Sequence, residues 1–154
     1  MENTMRLKAD RRRDLCERMG LPRYSLGEEI FSSVSHGVSA LIAVGILALL
    51  LVFGGKTPVK TASVAIYGGT MVALYAISSI YHGLGLGRAK IIFRSLDHCT
   101  IFLLIAGTYT PITLVCIGGR QGLSMLIGVW AAAVVGVILN AISVERFKVV
   151  SMVC

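Results

Sequence analysis

The sequence predicts an all-α fold, a polytopic membrane bundle of helices. Hydrophobic residues make up 55% of the 154 residues and charged residues 15%, whereas about 45–50% apolar and about 25% charged residues are usual in soluble domains. Asp, Glu, Lys and Arg are also excluded from four runs of 26, 27, 22 and 24 residues, at 30–55, 61–87, 98–119 and 121–144. Each run exceeds the roughly 20 residues that a helix needs to cross the hydrocarbon core. Four complete transmembrane helices are therefore expected.

The segments follow from these runs. A basic N-terminal segment, residues 1–29, precedes a transmembrane bundle at 30–146, and residues 147–154 begin a further helix. We place the four helices at about 30–54, 61–82, 96–117 and 122–144. A soluble bundle would need a polar face on each helix, whereas these runs carry Leu, Ile, Val and Ala around their whole circumference and are almost without polar faces.

Two features inside the later helices predict their local structure. Pro111 interrupts the third helix and should kink it, because proline removes a backbone hydrogen bond. Thr108 and Thr110 are expected to satisfy the freed carbonyls. In the fourth helix, small residues recur at four-residue spacing, which suits close helix packing within the protein: Gly128, Ala132 and Gly136.

The basic residues predict the orientation. With a cytoplasmic N-terminus, twelve Lys and Arg residues lie inside and three outside, which is the asymmetry of the positive-inside rule. The outside residues are Lys56, Lys60 and Arg120. Membrane topology thus accounts for the net charge of +7, and we infer no nucleic-acid partner. Membrane lipid is the expected partner.

Polar side chains are concentrated at the ends of three predicted helices. EEIFSSVSHG opens the first helix and repeats its polar residues at i, i+3, i+4 and i+7, on one helical face. The second helix ends with a serine and a histidine one turn apart, and the third opens with Asp-His. All these ends reach the cytoplasmic side. The resulting inner cluster comprises Glu29, Ser32, His36, Ser78, His82, Asp97 and His98.

Four residues of the inner cluster also have other interpretations. His36 could be a histidine bonded to a neighbouring helix, and His82 could extend to the membrane interface from a helix end. Ser78 could orient His82 or hold a water molecule beside it. Asp97 could cap the third helix, because a carboxylate is favoured at a helix N-terminus. Ionisable residues within membrane helices nevertheless tend to face a protein interior or a wet cavity.

The chemistry of the inner cluster is compatible with zinc. Two or three histidines with a carboxylate are usual in zinc sites that keep an open position for water. A neighbouring carboxylate can hold that water and accept its proton. Such a site suits hydrolysis of an amide or ester whose acyl chain enters from the bilayer. The residues alone leave open whether a metal binds.

Three stretches carry a family resemblance: EEIFSSVSHG, SSIYHG and RSLDHCTIFLLIAGTYTP. They resemble the first motifs of the hemolysin III family, the bacterial branch of the progestin and adipoQ receptor proteins, which is related more distantly to the alkaline ceramidases. The resemblance covers about residues 24–148. It implies a seven-helix bundle in the bacterial cytoplasmic membrane, with zinc near the cytoplasmic face.

The resemblance also implies roles for single residues. It makes His82 a zinc ligand, Asp97 the catalytic carboxylate that holds the water, and Ser78 a catalytic residue that supports the site. The remaining members of the inner cluster would surround the metal without being assigned ligands: Glu29, Ser32, His36 and His98.

One part of the family pattern is missing from the sequence. The family supplies two further zinc ligands from a His-x-x-x-His motif on its last helix, and this sequence ends at Cys154. We therefore expect a C-terminally truncated family member. Without the motif, His36, His98 or a second chain would have to complete the zinc site.

Three classes of function follow. The first is a zinc-dependent, ceramidase-like hydrolase of lipid amides or esters. The second is a pore-forming cytolysin, as the family name implies, although the helices have no continuous polar stripe to line a pore. The third is a receptor-like membrane sensor without catalysis. The sequence leaves the substrate and the oligomeric state open.

Overall fold

The part of the chain that the structure describes is built from four long helices. The computed structural model describes residues 11, 14–17, 20–54 and 57–143. The helices are α1 (Leu26–Phe53), α2 (Pro58–Gly83), α3 (Arg88–Pro111) and α4 (Gly119–Ser143), with a π-helical segment, Ile112–Ile117, between α3 and α4. Four helical stretches are long and apolar enough to span a membrane, α3 together with its π-helical extension. The chain is therefore an all-α, multi-pass membrane bundle. The further helix expected at 147–154 lies outside the described residues.

The first two helices begin earlier than expected because of their N-caps. Ser25 Oγ accepts a hydrogen bond from the Glu28 amide at 3.2 Å, and the Glu28 carboxylate accepts one from the Ser25 amide at 2.7 Å. This capping box adds an acidic first turn to α1, ahead of the expected start at residue 30. Helix α2 opens with Pro58 behind an N-cap at Thr57, a position where the missing proline N–H has no cost.

Helix α3 begins at Arg88, whereas we expected it at residue 96. Only residues 84–87 connect it to α2. The stretch RAKIIFRS forms the first two turns of α3, and Lys90 within it is buried. Counting charge-free residues excluded this stretch from the helix, although its charged side chains occupy ordinary helical positions. Asp97 therefore lies in the third turn of α3, not at the N-terminus where we expected it.

The end of α3 is shaped by Pro111. Proline has no N–H to donate to the carbonyl four residues earlier, which is that of Gly107. We expected Thr108 and Thr110 to satisfy this carbonyl. Their hydroxyls instead donate to Leu104 and Ala106, both at 2.8 Å. A π-helical segment follows Pro111 directly, as is common where the regular backbone pattern is interrupted.

Two glycines join the π-helical segment to α4. Gly118 and Gly119 have φ values of +66° and +59°, in the left-handed region that glycine adopts without a steric penalty. The Gly118 amide donates to the Thr113 carbonyl at 2.9 Å, five residues back, which is the π-helical spacing. The chain reverses at this point and returns across the membrane as α4.

The helices are arranged as an open row. Each packs against its neighbour along the chain, in the order α1, α2, α3, α4, and no contact joins α1 to α4 within the described parts. The outer helices accordingly expose large apolar side chains such as Leu41 and Ile142, which are 75% and 76% exposed. Lipid is the natural neighbour of these faces. At one membrane side of the bundle lie the start of α1, the end of α2 and the start of α3. We call this side the His82 end.

Candidate functional site

Serines join α1 to α2 at the His82 end. Ser33 Oγ donates to the Ser79 carbonyl at 2.9 Å, and Ser79 Oγ donates to the Ser33 carbonyl at 2.7 Å. The helices approach closely here: a Cβ atom added at Gly37 or at Gly83 would lie 3.1 Å from one of these hydroxyls. Small and hydroxylated residues are typical of tight helix contacts in membranes. This seam fixes the depth of His36 relative to His82.

His36 is bonded to the opposite helix. Its Nδ1 lies 2.6 Å from Ser78 Oγ, so Ser78 orients His36 directly. On sequence grounds we considered Ser78 as a partner of His82, which stands one turn further along the same helix. The ring of His36 packs edge-on against that of His82, with centroids 5.9 Å apart. Ser78 therefore acts on His82 only indirectly, by orienting the His36 ring that packs against it.

His82 lies in the last turn of α2. Its ring contacts those of Tyr24, His36 and Tyr81, with centroid distances of 5.7, 5.9 and 4.7 Å. Its Nδ1 atom is buried and has no hydrogen-bond partner among the described residues. Buried polar atoms are nearly always hydrogen-bonded, so such an exception calls for an explanation, of which a bound ion or water is one. His82 Nδ1 is thus a donor atom available for a ligand.

Glu29 forms a buried ion pair with Lys90. The Lys90 ammonium donates to Glu29 Oε2, and the two side chains are only 3% and 7% exposed. The pair connects the first turn of α1 to the first turn of α3. A lysine that the charge count assigned to a cytoplasmic loop is therefore part of the interior of the His82 end.

The other predicted site residues are placed as follows. Asp97 is half-buried in the third turn of α3. His98 is half-buried on α3 near Arg94 and is not among the rings that contact His82 in the described structure. Ser32 accepts a bond from Ser35 through its backbone carbonyl. The structure thus brings His36 and His82 into contact and places Asp97 on the neighbouring helix α3.

The N-terminal arm, residues 20–25, covers this end of the bundle. Arg94 on α3 donates to the Gly20 carbonyl at 2.5 Å, and Leu21 is buried. Tyr24 contacts the His82 ring edge-on. On sequence grounds this stretch was only part of a basic tail, because it contains no apolar run. Its attachment leaves His82 shielded on one side by an aromatic ring.

A cavity of about 430 Å³ opens beside the cluster. It lies between the start of α1 and the turn that connects α2 to α3. Glu29, Lys90 and His82 contribute polar groups to its lining, and Ile30 and Val34 contribute an apolar wall. The cavity therefore combines polar groups with apolar surface continuous with the exposed face of α1.

Comparison with known proteins identifies the family. Residues 24–154 match the protein family described as Haemolysin-III related. The chain belongs to the hemolysin III family. The matched region contains all four helices together with every residue of the inner cluster.

Two curated hemolysin III relatives are longer than this chain. It is 34% identical over 142 residues to "Hemolysin-3" of Bacillus cereus, covering 91% of this chain and 65% of the relative. It is 32% identical over 130 residues to "Hemolysin-3 homolog" of Bacillus subtilis (strain 168), covering 83% and 61%. The chain thus spans less than two thirds of the length of these relatives. No solved structure matches it.

The family resemblance implies a zinc site, and the residues of this hemolysin III protein fit it only in part. His82 Nδ1 is a suitable donor, because it is buried and without a hydrogen-bond partner in the described residues. His36 Nδ1 and Glu29 are already engaged, by Ser78 and Lys90. Within residues 11, 14–17, 20–54 and 57–143, no group of three or more His, Cys, Asp and Glu could hold a metal ion. The fit is therefore limited to one ligand.

Sequence reasoning missed three contributors to the site. Lys90 and Arg94 were counted only as charges that set orientation, and Tyr24 lies before the first apolar run. One signal was present for Lys90. An acid in the first turn of a membrane helix, Glu29, needs a partner of opposite charge, and Lys90 opens a later helix at the same side of the membrane.

Proposed function

We propose that the protein is a membrane hydrolase that cleaves lipid amides or esters with zinc bound at its His82 end. The observation that carries this function is His82 Nδ1, a buried atom without a hydrogen-bond partner in the described structure. The His82 ring packs against His36 and shares a cavity with Glu29, and Asp97 lies on the neighbouring helix α3. A buried, available imidazole nitrogen beside carboxylates is the kind of donor that zinc selects.

Each residue has a role in this function. His82 would hold the metal, and the other ligands would come from residues other than those described. When bound, zinc acts as a Lewis acid that makes water a nucleophile near neutral pH. Asp97 would accept the proton of the attacking water as a general base. Ser78 would hold the His36 ring against His82 through its 2.6 Å bond.

The cavity supports a lipid as the substrate. Its apolar wall, which includes Ile30 and Val34, adjoins the exposed face of α1, and its polar groups lie beside His82. An amphiphile would place its acyl chain along α1 and its amide or ester next to the imidazole. The twelve-to-three distribution of basic residues supports a location in the bacterial cytoplasmic membrane with the N-terminus in the cytoplasm.

The decisive test is the substitution Asp97→Asn in the protein expressed from its own gene. Loss of the general base should lower turnover of a fluorogenic lipid amide by about 10²-fold or more. The helical circular dichroism signal should be unchanged, because an amide of the same shape replaces the carboxylate. Asp14→Asn, the same change at an exposed residue, should retain full activity. Unchanged turnover in Asp97→Asn would contradict the proposed hydrolase function.

Membrane lysis is the second candidate function, and the names of the two relatives favour it. The polar side chains of the site are gathered at one end of the row, whereas a pore needs them along its length. Dye release from liposomes that persists in His82→Ala would favour lysis over hydrolysis. Lipid binding without product formation would point to a sensor instead.

A further inference from the structure

The ammonium group of Lys90 is completely occupied by the protein. Its three protons have three acceptors: Glu29 Oε2, the Tyr81 carbonyl at 3.1 Å and the Leu84 carbonyl at 2.9 Å. The group also lies 4.9 Å from the centroid of the Tyr81 ring. Lys90 is only 2% exposed. A lysine with this environment has no solvent-facing task, so its function lies in what it holds together.

One acceptor, the Tyr81 carbonyl, lies in the last turn of α2, and another, the Leu84 carbonyl, belongs to the C-cap residue that follows it. Carbonyls in the last turn of a helix have no partner within the helix, and lysine side chains can satisfy them while their charge complements the helix dipole. Tyr81 directly precedes His82, and Leu84 follows it by two residues. The bonds from Lys90 therefore fix the backbone on both sides of His82.

The third acceptor joins α1 to the same point. Glu29 lies in the first turn of α1, so the single ammonium group connects three helices at the depth of His82. Removal of one partner from a buried ion pair is strongly destabilising, whereas replacement of both partners can be nearly neutral. This asymmetry distinguishes the charge pair from the carbonyl bonds in an experiment.

We propose that Lys90 is a positioning residue for His82: it fixes the last turn of α2 against α1 and thereby holds the imidazole beside His36 and Tyr24. Glu29 is the counter-ion of Lys90 within this arrangement. The role depends on the protein fold alone, and it stands whether or not zinc binds and whether or not a lipid is hydrolysed.

The test measures where the His82 ring lies. The protein has three histidines and one tryptophan, so its ring protons can be assigned by NMR in detergent micelles, with His82→Gln identifying the His82 signals. Native protein should show cross-peaks from His82 to His36 and to Tyr24. Lys90→Met keeps the aliphatic length of the side chain and removes the ammonium group. Both cross-peaks should be lost in this variant.

Two controls separate positioning from general stability. Lys60→Met makes the same change at an exposed lysine at the opposite end of α2 and should leave both cross-peaks intact. The contact between Trp130 Nε1 and Thr110 Oγ1, at 3.1 Å, reports on the distant α3–α4 packing and should survive in Lys90→Met. Retention of the two His82 cross-peaks in a folded Lys90→Met protein would overturn the proposal.

A double variant keeps the test decisive if Lys90→Met does not fold. Glu29→Gln combined with Lys90→Met removes both charges, so no unpaired ion remains buried. The Tyr81 and Leu84 carbonyls still lack the ammonium group that donates to them. The His82 cross-peaks should therefore still be lost while the Trp130 contact remains. A double variant with native His82 cross-peaks would show that Lys90 serves only to neutralise Glu29, and the positioning role would be wrong.

Discussion

The three histidines differ in what surrounds them, and their surroundings decide what each can do. His36 is hydrogen-bonded to Ser78 and is thereby oriented. His82 has three ring neighbours but a buried Nδ1 without a hydrogen-bond partner among the described residues. His98 lies on α3 next to Asp97 and close to Arg94. His82 is therefore the histidine with a ring fixed by packing and a nitrogen available for a ligand.

The bond between His36 and Ser78 should contribute measurably to stability. Ser78→Ala leaves His36 Nδ1 without its partner across the α1–α2 seam. Hydrogen bonds between membrane helices contribute about 0.6 kcal/mol on average and up to about 1.7 kcal/mol, so a loss in that range is expected. The free energy of unfolding in mixed micelles of detergent and denaturant measures it.

The control for Ser78→Ala is Ser124→Ala. Ser124 is exposed on α4, and its hydroxyl donates only within its own helix, to the Gln121 carbonyl. This substitution should change the unfolding free energy by less. Equal losses in the two variants would mean that the interhelical bond adds nothing beyond a local one.

At the scale of the helix, α4 uses one narrow face for packing. Trp130, Ala133 and Asn140 lie on this face, where Trp130 donates to Thr110 and Asn140 donates to the Ser95 carbonyl. We expected a packed stripe of Gly128, Ala132 and Gly136. Only Gly136 lies close to another helix, since a Cβ atom there would be 2.6 Å from Phe102 Cδ1, whereas Gly128 has open space around it.

Two glycines of the same helix therefore make a matched pair of predictions. Gly136→Ala should force the Phe102 ring to move, and overpacking of this kind costs about 1–3 kcal/mol. Gly128→Ala should be neutral or slightly stabilising, because alanine favours helix more than glycine does. Thermal unfolding followed by circular dichroism compares the two. Destabilisation by Gly128→Ala and not by Gly136→Ala would contradict the observed face of α4.

The number and type of the elements could be predicted from sequence because charges are excluded from membrane spans. Their starting points could not, since the first turns of α1 and α3 contain Glu29 and Lys90, and a charge count assigns such turns to loops. The members of the inner cluster were predicted from helical spacing. Spacing specifies a face of a helix but not the partner opposite it, so the bonds of Ser78 and Glu29 became visible only in three dimensions.

At the scale of the whole molecule, the open row divides the helices into two kinds. Helix α3 contacts helices on both sides and carries fully buried residues such as Ala106. In the described residues, α1 packs along α2 and α4 along α3, apart from the ion pair that joins α1 to the start of α3, and both outer helices present broad apolar faces to the surroundings. The cavity at the His82 end opens beside α1, an outer helix of the row, where lipid can reach it.

The orientation of the row can be tested by labelling single cysteines. With the four native cysteines replaced by serine, Thr57→Cys and Gly85→Cys place a thiol at exposed positions at opposite ends of α2. Because basic residues are retained in the cytoplasm, a membrane-impermeant maleimide should label position 57 in intact cells. Position 85 should react only after permeabilisation. The reverse pattern would contradict a cytoplasmic N-terminus.

The ion pair between Glu29 and Lys90 can form only after both residues have been synthesised. The two residues are 61 positions apart in the chain. At about 5–20 residues per second, a ribosome makes Lys90 about 3–12 s after Glu29. During this interval the Glu29 carboxylate has no Lys90 to pair with and depends on water, headgroups or a bound proton. Glu29 can be buried as an ion pair only after the first turn of α3, which contains Lys90, has been added.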